Sequence, residues 1–71
     1  MKYYRQQKLM QDYVKSLLKD AKKQGGGLSS AKIIYYCREK YEISDKAVEK
    51  WLTLLLKVEV AQEKEGVIIW N

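Results

Sequence analysis

Four side chains that donate hydrogen bonds or carry positive charge recur along one short stretch: Lys46, Lys50, Thr53 and Lys57. They are separated by four, three and four residues. On a helix that spacing stacks them along a single face, because residues three and four apart lie one above the other. Glu49 falls in the same sector, about 100° wide by helical geometry. Such a face offers charge and donors to an anion, with one carboxylate available to accept.

Most other chemistry is closed to this chain. It contains no His, so imidazole metal sites and His-based triads are impossible. The one Cys, Cys37, can form neither an internal disulfide nor a cysteine zinc cluster. The carboxylates are scattered and no nucleophile–base constellation is visible, so the expectation is that the protein is not an enzyme. Gly25, Gly26 and Gly27 follow a helical stretch and lack a following Lys-Ser/Thr, which argues for a turn rather than a phosphate loop. No metal, cofactor or small-molecule ligand is expected.

Charge sharpens the picture. The 71 residues carry 14 basic and 9 acidic side chains, net +5. Residues 1–24 hold seven basic and two acidic side chains, residues 25–57 six and four, and residues 58–71 one and three. The basic excess therefore lies at the front and the tail is acidic. A basic balance points toward a polyanionic partner. There is no run of roughly 20 apolar residues that a membrane span needs. The first residues, Met1-Lys2-Tyr3-Tyr4-Arg5-Gln6, lack the apolar stretch and cleavage site of a signal peptide. A cytoplasmic location, close to the nucleoid if the polyanion is DNA, is the expectation, with no membrane partner.

The elements that must hold the basic face follow from periodicity. A chain of this length makes one domain with a modest core, burying about 60% of its potential surface. Residues 3–24 read as a first helix: Tyr3, Met10, Tyr13, Val14, Leu17, Leu18 and Ala21 share one sector, and Arg5, Lys8, Asp12, Lys15, Lys19, Lys22 and Lys23 the opposite one. The three glycines end it. Leu28-Ser29 is too short to assign by pattern. Ser29 or Ser30 caps a second helix running to about Tyr41, with Ile33, Ile34, Cys37 and Tyr41 inward. After Glu42-Ile43, Ser44 caps a third helix over 45–57, with Asp45 in its first turn. Ala47, Val48, Trp51, Leu52, Leu54 and Leu55 form its apolar face. Val58-Glu59-Val60 alternates, and Val67-Ile68-Ile69-Trp70 is rich in strand formers. The polar run Gln62-Glu63-Lys64-Glu65-Gly66 between them makes residues 58–70 a β-hairpin. The expected class is α+β, mainly α: three helices and a C-terminal hairpin.

The segment Ser30-Ala-Lys-Ile-Ile-Tyr-Tyr-Cys-Arg-Glu-Lys-Tyr41, followed by Glu42-Ile-Ser-Asp-Lys-Ala-Val-Glu-Lys-Trp-Leu52, resembles the paired helices of a winged helix-turn-helix domain. The likeness covers roughly residues 28–71, with the first helix completing the fold. In size, in richness in Lys, Tyr and Ile, and in lack of His, the chain is similar to small DNA-binding proteins of archaeal plasmids and viruses. The resemblance implies a sequence-specific binder of double-stranded DNA, a transcriptional regulator or a replication factor of a mobile element. It implies that the third helix enters the major groove. Lys46 and Lys50 would meet base edges, Thr53 a base or phosphate, and Lys57 a phosphate. Glu49 would accept from a cytosine amino group. Ser30, Lys32 and Ser44, at helix N-termini, would face phosphates, and Lys64 would be the one basic contact of the wing. The rival reading is a winged-helix module that docks another subunit of a larger nucleic-acid-processing complex. The acidic wing and the lack of Arg on the third helix's face favour that rival.

The first helix is also long for such a domain, about 30 Å at 1.5 Å per residue. That length leads to the expectation of a homodimer joined through Tyr3, Tyr4 and Met10. The two tyrosines have a second option, lying over the hairpin of their own chain.

Overall fold

Each helix arises where apolar residues repeat at helical spacing; the first and third stop where the backbone turns left-handed, and the second stops at Tyr41, where it becomes extended. A computed structural model describes residues 2–71, with side chains from Arg5 onward. Among these residues the order is α1 (Lys2–Lys23), β1 (Leu28–Ser29), α2 (Ser30–Lys40), α3 (Asp45–Lys57), β2 (Ala61–Lys64) and β3 (Val67–Trp70). The protein is mainly helical, with a small antiparallel sheet in the order β1-β3-β2.

The core is built at three- and four-residue intervals on the helices. Met10, Val14 and Leu18 come from α1, Ile33 and Cys37 from α2, and Val48, Leu52 and Leu55 from α3. Ala61 and Ile68 close it from the sheet. No polar side chain among the described residues is buried with them. Tyr13 and Tyr41 add an edge-on ring contact at 5.7 Å between centroids. The Lys40 ammonium lies 4.3 Å from the centre of the Tyr13 ring, a cation–π contact that ties α2 to α1. Lys19 sits 5.8 Å from the Trp70 ring and links α1 to β3 in the same way.

The connections after α1 and after α3 begin with the same helix-ending geometry. At the end of α1, Gly26 N–H bonds to Ala21 C=O and Gly25 N–H to Lys22 C=O, with Gly25 at φ 84°. At the end of α3, Val60 N–H bonds to Leu55 C=O and Glu59 N–H to Leu56 C=O, with Glu59 at φ 63°. These are two Schellman motifs, one with the glycine that the left-handed position favours and one without. The second corrects the expected strand over 58–60. Val58 caps α3, Glu59 makes the left-handed step, and pairing starts only at Ala61. The hairpin loop is likewise shorter than the polar run. Gln62, Glu63 and Lys64 pair in β2, opposite Ile69, Ile68 and Val67. Only Glu65 (φ 54°) and Gly66 (φ 78°) make the turn. Two consecutive positive φ values define a type I′ turn, whose twist matches that of the flanking strands.

The third strand, β1, is two residues long and pairs Leu28 with Ile68 and Ser29 with Val67. Gly27 permits it. A Cβ there would overlap the Ile68 carbonyl oxygen and come within 2.9 Å of Ile69 Cγ1.

Candidate nucleic-acid interface

The cap of α3 sets the direction of its basic face. Ser44 is extended (φ −74°, ψ 152°), and its Oγ accepts from Ala47 N–H at 3.2 Å. That bond fixes the first turn. Opposite the buried Val48, Leu52 and Leu55, the side chains of Lys46, Glu49, Lys50, Thr53 and Lys57 are exposed.

Tertiary structure gathers some of the expected residues and separates others. Ser44, Lys46, Lys50, Thr53 and Lys57 line one groove of about 710 Å³ between α3 and the N-terminal half of α1. Gln7, Met10 and Gln11 of α1 contribute the other wall. Glu49 does not line it. By rotation about the α3 axis at 100° per residue, Glu49 lies on the flank away from Leu54. Ser30, Lys32 and Lys64 also lie outside this groove. Lys32 and Lys64 are exposed, whereas Ser30 is half-buried. It is Ser29 that caps α2, accepting from Lys32 N–H at 3.2 Å.

Two expectations change here. Leu54, expected in the core, is 45% exposed. On α3 the buried sector is centred on Val48, Leu52 and Leu55, and Leu54 is turned out of it toward the groove. Met10, expected to join two copies, is 1% exposed. Spaced four residues from Val14, it belongs to its own chain's core and offers almost no surface to a partner. Tyr3 and Tyr4 lie outside the described side chains.

The groove's α1 wall and its apolar members, Ala47, Trp51 and Leu54, were not legible as site residues. The one signal for the α1 wall is the four-residue spacing of Gln7 and Gln11, which puts two neutral amides on one edge of the helix. For Leu54 the signal is its place four residues after Lys50 and three before Lys57.

Arg38 contributes from outside the groove. Its Nη2 donates to Asp45 Oδ2 at 2.6 Å and its Nε to Asp45 Oδ1 at 3.3 Å. The hydrogen bonds and charge of Asp45 raise the guanidinium pKa further above its usual range, with a smaller contribution from Glu39. Arg38 is thereby committed to the start of α3. Behind the site, burial pushes the Cys37 thiol up to about 11. Tyr13 is also raised, first by desolvation and then by neighbouring Cys37, Tyr41 and Tyr36.

The basic groups of α1 from Arg5 onward are exposed, and Lys8 pairs with Asp12 at 3.5 Å. The hairpin presents Glu63 and Glu65 to solvent on either side of Lys64, and Glu59 is exposed at the end of α3. No helix among the described residues is long and apolar enough to cross a membrane. Comparison with family models, curated proteins and solved structures returned no match.

Proposed function

We propose that this protein is a small winged helix-turn-helix domain that binds double-stranded DNA in a sequence-specific manner, as a transcriptional regulator or a replication factor of a mobile element. One observation carries the reading: Lys46, Lys50, Thr53 and Lys57 stand together on the exposed side of α3, while its other side is anchored by Val48, Leu52 and Leu55. A helix held from behind and polar in front is what insertion into a major groove requires. The order helix, short strand, helix, helix, hairpin, with β1 pairing at the far side of β3, is compatible with the winged plan. Lysine–phosphate contacts supply most of the affinity, and the acidic hairpin takes little part.

A homodimer remains the expected assembly, now without Met10. A helix of 22 residues extends about 33 Å at 1.5 Å per residue. The longest dimension is 35 Å, and among the described side chains, from Arg5 onward, the first buried one of α1 is Met10. Sedimentation equilibrium tests this, and a monomer at high micromolar concentration removes it.

The second reading is a protein-docking winged helix. The exposed Glu63 and Glu65 on the hairpin favour it, because a wing placed beside phosphate would ordinarily be basic. A gel shift with random-sequence duplex at low salt decides. Retardation that weakens steeply with salt supports DNA binding; no retardation at tens of micromolar supports the docking module.

A further inference from the structure

Leu54 has no place in a purely phosphate-binding face. It is 45% exposed and lines the groove beside Lys50 and Lys57. A lone exposed leucine is ordinary, but this one lies in a specific setting. It stands one helical turn from each of two lysines, and Ala47 and Trp51 of the same helix line the groove with it. The three lysines of the groove attract a polyanion. Leucine can neither donate nor accept a hydrogen bond, so it gains only from an apolar group. In the major groove of DNA the base-edge group that meets that need is the 5-methyl of thymine.

We propose that Leu54 is a specificity determinant that reads thymine through its 5-methyl group, with Lys50 and Lys57 engaging the DNA to either side. This inference rests on the DNA-binding reading and deepens it. It assigns an apolar base contact to a residue one helical turn from the basic ones.

The test uses the full chain and duplexes recovered from a random DNA pool by repeated selection. Each thymine of a recovered duplex is replaced in turn by uracil, which lacks only the methyl group. The wild-type protein is expected to lose about fourfold in affinity at one position, the worth of one buried carbon. Leu54→Ala is expected to bind the thymine duplex correspondingly less well and to be indifferent to uracil at that position. Leu54→Gln, of similar volume and helix preference, is expected to behave in the same way, with melting curves confirming that both variants fold. If the wild type ignores uracil everywhere, or if Leu54→Ala keeps the sensitivity, the assignment is overturned. In that case a continued loss of binding in Lys50→Ala leaves the DNA-binding reading standing. Selection that yields no preferred sequence overturns the assignment and leaves only non-specific binding. Failure of the wild type to bind any duplex overturns both.

Discussion

The Arg38 guanidinium grips the Asp45 carboxylate with two prongs, at 2.6 and 3.3 Å, across the turn that joins α2 to α3. The two residues are seven apart in sequence, and both remain partly exposed, at 57% and 46% of the side chain. The pair brackets Ser44, whose hydroxyl caps α3, so cap and ion pair together set the angle at which the lysine face leaves the body of the protein.

A double-mutant cycle should measure this pairing. With Arg38→Gln, Asp45→Asn and both together, a small positive coupling is expected in thermal melts at low salt. It should vanish by 1 M salt, because exposed ion pairs are screened. A coupling unchanged by salt would mean that the two side chains interact through packing instead.

The lysine face predicts distinct losses. Lys50→Ala should weaken duplex binding several-fold, whereas Lys57→Ala, which removes a phosphate contact, should reduce the slope of log affinity against log salt by about 1. Lys46→Ala should alter the preferred sequence, costing about 1–3 kcal/mol at one base position. All three side chains are exposed, so the melting temperature should hold. If all three variants bind like the wild type, α3 is not the contacting helix.

Gly27 should not tolerate a side chain. Gly27→Ala places a methyl against the Ile68 carbonyl, which belongs to the central strand and cannot move without disturbing both of its pairings. A loss of about 1–3 kcal/mol, typical of overpacking, is expected in urea titrations. Gly26→Ala serves as the control, since a Cβ there meets nothing within 4 Å.

Glu59 should be improvable. Its φ of 63° carries a left-handed strain of about 1–2 kcal/mol for a residue with a Cβ. Glycine removes that strain and adds about 0.5–1 kcal/mol of chain entropy to be lost on folding. Glu59→Gly should therefore raise stability by roughly 0.5–1 kcal/mol. The Asn71 side-chain bond to the Glu59 carbonyl, 2.7 Å, involves only backbone at position 59 and should persist. A fall in stability would show that the carboxylate itself matters.

Cys37 should be silent near neutrality. The thiol is fully buried and raised from 9.0 to about 11, so thiol reagents at pH 8 should label it only as fast as the protein opens. In the unfolded chain the thiol ionises at the lower value. Native protein then holds more protons than unfolded protein between about 9 and 11. The contribution to stability is thus complete below 9 and lost as pH rises toward 11. The raised Tyr13 works in the same direction. Cys37→Ala should flatten part of that alkaline decline.

What the sequence determined was local. The spacing of Val14 and Leu18, and of Val48, Leu52 and Leu55, placed the buried faces. Ser44 and the glycines marked ends, because caps and left-handed turns depend on neighbours a few residues away. The lysine face of α3 was legible for the same reason. Tertiary structure decided the rest. β1 exists only because Ile68 and Val67, some forty residues downstream, lend it hydrogen-bonding partners. Glu59 turns left-handed because chain reversal into β2 demands it, against the residue's own preference. Leu54 faces the groove because the covered sector of α3 is narrower than its apolar sector. Met10 goes to the core because the body of the protein reaches that far along α1, a length no pattern within the helix reveals.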